Sequence, residues 1–146
     1  MPGEISRIKH IGSFQYNYQF RSDNPLEEVW SQIKKYGSER YVFKKFSQWK
    51  DNTDRDKHIK YATLRIRQAV EFRELSKNKS LLTTPLPLYY SFLNLLRAYL
   101  ALCPEIIPKP RHGLKYQTGK DIFSSKAQLV EGTFTDYLDL SSTVDI

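Results

Sequence analysis

Residues 85–103 decide the fold: Pro-Leu-Pro-Leu-Tyr-Tyr-Ser-Phe-Leu-Asn-Leu-Leu-Arg-Ala-Tyr-Leu-Ala-Leu-Cys. Thr83 and Thr84 precede this run as candidate caps, and both prolines fit a first helical turn, where their missing donors cost little. Beyond the prolines and tyrosines, the polar members are Ser91, Asn94 and Arg97, whose i, i+3, i+6 spacing places them in one stripe of a helix. About eighteen residues at ~1.5 Å each give roughly 27 Å, close to a bilayer's ~30 Å hydrocarbon thickness. Arg97 argues against a span, because a charge at that depth is costly, and prolines bound the segment on both sides. The run reads as the buried central helix of a domain outside the membrane. Its buried polar stripe must then meet partners or line a cavity.

Working outward, a second helix is predicted from about Asp56 to Ser76. Ile59, Ala62, Ile66, Ala69, Val70 and Arg73 form one stripe, and Tyr61, Leu64, Gln68, Phe72 and Leu75 another. Two stripes imply cover on two sides, leaving a wet face of Lys60, Arg67, Glu71 and Glu74, on which Arg67 and Glu71 have the spacing of an ion pair. Upstream, Asn24 as N-cap and Pro25 at the first position open a helix carrying Leu26, Val29, Trp30 and Ile33, with Gly37 as terminator. Phe14 to Phe20 alternates aromatic and polar residues, the pattern of a half-buried strand. Arg40 to Phe46 is rich in β-formers and reads as another strand. Ile122 to Leu138 reads as one or two more, with Gly132 as a bulge or turn. The expected fold class is α+β, with central buried helices packed on a small, mostly antiparallel sheet.

The 146 residues suggest a single domain, and 40% hydrophobic residues suffice for a packed core. Cys103 is the one cysteine, which excludes an internal disulfide framework. Residues 1–20 have no uninterrupted apolar core of a secretory signal, so a cytoplasmic location is expected. The net charge of +7 divides into +11 over residues 1–130 and −4 over 131–146. A basic body with an acidic end can attract polyanions or pair with itself.

The densest basic run is Lys109-Pro110-Arg111-His112-Gly113-Leu114-Lys115. In a phosphate loop, Arg111 would supply a planar fork, Lys115 a point charge and Gly113 a close backbone approach, with Lys109 adding to the field. His112 is the one candidate acid or base, although no second catalytic group is tied to it by spacing. Docking this loop beside Asn94 and Arg97 would make a cationic pocket for a phosphate, carboxylate or nucleotide. The competing reading makes the loop a solvated connector and Arg97 a structural clamp. His10, His58 and His112 are too scattered for a metal site, and no nucleotide-loop or hydrolase motif is present. Neither metal nor cofactor is expected.

Four segments carry a family resemblance: Ile-Arg-Gln-Ala-Val-Glu-Phe (66–72), the run from Pro85 to Ala98, His-Gly-Leu (112–114) and Glu-Gly-Thr-Phe (131–134). Over roughly residues 25–135 the chain resembles the bacterial YaaC-like protein family. The resemblance implies a mostly helical cytoplasmic protein without an assigned reaction, of which this chain corresponds to the front portion. Two functions are expected from different classes. One is a non-catalytic ligand-binding or protein-interaction module of a bacterial assembly, with a defence role among its settings, whose partner is another protein or a second copy. The other is a HEPN-like ribonuclease or nucleotide-processing domain using Arg111 and His112. HEPN domains separate their Arg and His by four to six residues, whereas here the two are adjacent.

Overall fold

The computed structural model describes residues 23–46, 54–77, 79–102, 106–121 and 124–142. The chain is a helix-dominated α+β protein, ordered α1 (Pro25–Lys35), α2 (Glu39–Lys45), α3 (Arg55–Ser76), α4 (Pro85–Leu102), β1 (Leu114–Gln117), β2 (Lys126–Leu129) and α5 (Thr133–Ser142). It divides into two compact units, the larger ending at Ile107 and the second beginning at Pro108. The alternating segment from Phe14 to Phe20 and the thiol of Cys103 lie outside the described residues.

In the helical unit, local chemistry sets the limits of α1. The Asn24 side chain accepts the Glu27 N–H at 3.2 Å, and Pro25 occupies the first turn. After Lys35, the N–H groups of Tyr36, Gly37 and Ser38 bond back to the carbonyls of residues 33 to 35, closing the helix. The segment expected as a strand, Arg40 to Phe46, is instead α2. Ser38 sits at its N-cap position, and Val42 is buried in the core shared with α3 and α4. Tertiary burial of one side chain, with its neighbours Phe43 and Lys44 left exposed, overrides the β-rich composition.

The two central helices expected from the sequence pair with each other, for α3 and α4 make the most extensive contact in the unit. Their core contains Ile59, Ala62 and Ile66 from α3, and Ala98, Ala101 and Leu102 from α4. The alanines let the two backbones approach closely, and the branched residues fill the space on either side. His58 adds a polar tie across this pair, with its Nδ1–H donated to the Ala101 carbonyl at 3.1 Å. The first predicted stripe of α3 is buried at Ile59, Ala62, Ile66, Ala69 and Arg73. The second is not covered: Leu64 and Leu75 are exposed, while Tyr61, Gln68 and Phe72 are half-buried.

A charged knot fastens α1 to the end of α3. Arg73 is only 5% exposed, and it holds the Glu27 carboxylate with both terminal guanidinium nitrogens while lying 4.7 Å from the Trp30 ring centre. Lys77 reaches both Glu27 (3.4 Å) and Glu74 (3.0 Å), and Lys34 reaches Glu74 at 3.3 Å. The Arg73 hydrogen bond holds the Glu27 carboxyl below its ordinary pKa, and Lys77 does the same for Glu74. Arg67 donates its Nε–H to the Gly37 carbonyl at 2.7 Å, tying the α1–α2 turn to α3.

The second unit contains the sheet. β1 and β2 are antiparallel, in the register Leu114↔Leu129 to Gln117↔Lys126. The predicted C-terminal strand region is right for β2 but wrong beyond it, since residues 133–142 form α5. The reason is non-local. The carbonyls of Arg111 and His112 accept the N–H groups of Thr133 and Phe134, each at 3.0 Å, and so satisfy the first donors of the helix.

Candidate functional site

The polar stripe of α4 points into the helical unit as its spacing requires. Ser91, Asn94 and Arg97 are all buried. The Ser91 hydroxyl donates to the Ala69 carbonyl of α3 at 2.7 Å, and the Asn94 amide donates to the Tyr90 carbonyl at 2.8 Å. The Asn94 side-chain oxygen accepts from Arg65 Nη1 at 3.4 Å, and the same nitrogen donates to Gln68 Oε1 at 3.0 Å. Arg65 also lies over the Tyr61 ring, 4.8 Å from its centre.

Arg97 belongs to the same seam. Burial pushes its guanidinium pKa down, the phenols of Tyr61 and Tyr89 oppose that shift, and the Arg65 charge adds to it. Burial in turn pushes the Tyr89 phenol up, with Tyr90 adding to the rise and Arg97 opposing it. Arg65, Tyr61, Gln68 and Asn94 therefore meet between α3 and α4. Arg65 was missed in the sequence, although its position one turn after Tyr61 and three residues before Gln68 places it on the second stripe of α3.

The Lys109–Lys115 run lies in the second unit, whereas Asn94 and Arg97 lie in the first. Within its own unit the run is occupied largely by structure. Lys109 pairs with Glu131. Arg111 and His112 lend their carbonyls to α5, and the Thr133 hydroxyl also donates to the Arg111 carbonyl at 3.0 Å. His112 Nδ1 accepts the Leu114 N–H at 2.9 Å, which places the proton of the neutral ring on Nε2. Lys115 is exposed on β1, opposite Gln128.

Glycine completes this arrangement. Gly113 has φ of +88°, a backbone conformation that costs other residues energy. Gly132 packs directly against it. The segments His-Gly-Leu and Glu-Gly-Thr-Phe, separated by sixteen residues in the chain, thus form one interlocked corner.

Two further surface features were not singled out in the sequence. A cavity of about 580 Å³ between α2 and α3 has an apolar floor of Phe43 and Ile59 and a mixed charged rim that includes Glu39, Lys44 and Lys60. Between α3 and α4, the N–H groups of Thr83 and Thr84 bond the Ser80 carbonyl at 3.1 and 3.0 Å, and the Thr84 hydroxyl joins them at 2.8 Å. This turn holds Leu81 and Leu82 at 92% and 94% exposure.

Among the described residues, no group of three or more His, Cys, Asp or Glu could hold a metal ion, and no helix is long and apolar enough to cross a membrane. In comparisons with known proteins, the model of the family described as YaaC-like Protein matches residues 27–140, most of the chain. No curated protein and no solved structure matches.

Proposed function

Since this chain belongs to the YaaC-like protein family, we propose that it is a non-catalytic protein-interaction module of a bacterial assembly, docking through the Leu81–Leu82 turn. The carrying observation is the exposure of that pair. Two adjacent leucines stand almost wholly in water while four hydrogen bonds to one carbonyl hold the backbone that presents them. Burying such side chains at an interface is worth about 1.5–3 kcal/mol each before the costs of association, and a pre-formed turn keeps the ordering cost low. Leu75 and Leu86, the nearest apolar residues on either side in the chain, are exposed as well.

Charge favours a different protein over a second copy. Lys79 precedes the turn, and the chain as a whole carries +7, so two copies would bring like charges together. The complementary partner has an apolar groove with an acidic rim. Support for a non-catalytic role comes from the Arg111–His112 loop, whose carbonyls and ring nitrogen hold the corner at α5.

The test places a photo-crosslinking residue at position 83 in cells that express the chain, identifies the adduct by mass spectrometry, and measures binding to that purified protein. Leu81→Asp with Leu82→Asp should weaken binding at least tenfold and leave the far-ultraviolet dichroism unchanged. Absence of a discrete adduct, or binding indifferent to both substitutions, overturns the reading. So does co-sedimentation with anionic phospholipid vesicles that the same double variant abolishes, since the turn would then serve a lipid surface. RNA cleavage lost in His112→Ala would overturn the non-catalytic assignment in favour of a HEPN-like ribonuclease.

A further inference from the structure

The cavity between α2 and α3 carries an inference that goes beyond protein docking. Glu39, Arg40, Phe43 and Lys44 fall at i, i+1, i+4 and i+5 of α2, so they share one side of that helix. Asp56, Ile59 and Lys60 share a side of the opening turns of α3 in the same way. The space they enclose is about 580 Å³, within the ~300–1,000 Å³ of small-molecule sites. Its floor is fixed by the fold, because Ile59 is 3% exposed and belongs to the core that Val42 joins from α2. The Arg55 guanidinium lies over the Phe43 ring, 4.4 Å from its centre, and Phe43 remains 44% exposed.

We propose that this cavity binds an amphipathic organic acid, a flat apolar ring bearing one carboxylate. The floor accounts for the ring. Phe43 offers an aromatic surface for offset or edge contact, and Ile59 a rigid one already packed from beneath. The rim accounts for the carboxylate. Arg40, Lys44 and Lys60 outnumber Glu39 and Asp56, and Asp56 already lies 3.9 Å from Arg55. Among the described residues, the side chains of Arg40, Lys44 and Lys60 make no hydrogen bond or ion pair, so three exposed cationic donors stand at the opening. An excess of one positive charge on the rim matches one carboxylate better than a dianion. A bare phosphate would leave the apolar floor uncovered, a neutral ring would gain nothing from the cations, and a cationic ring would be repelled.

The test is isothermal titration of the full chain at low ionic strength with naphthoate, naphthalenemethanol, naphthalenemethylamine and acetate, in parallel. Naphthoate should bind saturably at one site, and added sodium chloride should weaken it. The neutral ring, the cationic ring and acetate should each bind at least tenfold more weakly. Amide chemical shifts should move most in residues 39–44 and 56–60. Combined Lys44→Gln and Lys60→Gln, both at exposed positions, should reduce naphthoate affinity at least tenfold. Glu39→Gln should raise it, a gain that damage to the fold cannot mimic. The inference fails if naphthoate does not saturate, if the neutral ring or acetate binds as tightly, or if Glu39→Gln weakens binding. Shifts clustered elsewhere, the Leu81–Leu82 turn included, would also overturn it. None of these readouts needs a protein partner, so they are independent of the docking proposal.

Discussion

Gly113 and Gly132 meet back to back: a Cβ atom on Gly132 would lie 2.4 Å from the amide nitrogen of Gly113 and 2.8 Å from the Arg111 carbonyl oxygen. Both obstacles are backbone, so neither can swing aside. Gly132→Ala should therefore destabilise the second unit by about 2–3 kcal/mol. Gly113→Ala should cost less, about 1–2 kcal/mol, because its added Cβ meets the Val130 carbonyl at 3.0 Å and the main penalty is the φ of +88°. Hydrogen exchange at the Phe134 amide, which bonds the His112 carbonyl, reads both effects. Equal protection in Gly132→Ala and wild type would contradict the packing argument.

The two ends of the leucine scale should separate cleanly. Leu100 is fully buried, and Leu100→Ala should cost about 3 kcal/mol through lost transfer energy and a residual cavity. Leu82→Ser, at a side chain almost wholly in water, should change stability by less than about 0.5 kcal/mol. Urea denaturation of the two variants measures the contrast. A large loss in Leu82→Ser would show that the turn is covered within the chain and is not available to a partner.

Acid should loosen α1 before it unfolds the α3–α4 pair. The Glu27 and Glu74 carboxyls lie below their ordinary value of 4.5 in the folded chain, through hydrogen bonds from Arg73 and Lys77 respectively. Their stabilising contribution is therefore complete above that ordinary value and is lost as pH falls through the lowered folded values. Between pH 7 and 5 melting temperature should be insensitive to this knot; below about pH 4.5 it should fall. Combined Glu27→Gln and Glu74→Gln should lower stability at pH 7 and flatten the acid limb. Trp30 fluorescence follows the local event, since Arg73 lies over that ring.

Ser91→Ala should cost about 1 kcal/mol, the ordinary net worth of a hydrogen bond, because the Ala69 carbonyl loses its second partner in a buried setting. A thermal melt with a calorimetric enthalpy would register it. A gain in stability would mean that the hydroxyl is poorly accommodated between the helices.

The helices that were legible in the sequence owe their limits to neighbours in the chain. Asn24 and Pro25 start α1 by a cap and a fixed φ, and the run from Pro85 shows both its length and its buried polar stripe through the 3.6-residue period. The misread segments depend on distant residues. α2 has strand-like composition and is helical because Val42 reaches the core of α3 and α4. Residues 133–138 could pair as a strand but become helical where Arg111 and His112 supply acceptors. The site divides in the same way. Periodicity placed Ser91, Asn94 and Arg97 on one buried face, whereas Arg65 looked like one more basic residue until the pairing of two helices set it beside Asn94.

The corner at Gly113 and Gly132 also makes the last helix depend on the hairpin. α5 has ten residues, fewer than the ~12–15 an isolated helix needs to persist in water. Its first acceptors lie twenty-two residues earlier, on the far side of the β1–β2 hairpin. Closure of the hairpin is what brings residues 111–113 alongside residue 132, so the last helix draws its first acceptors from a contact distant in the chain.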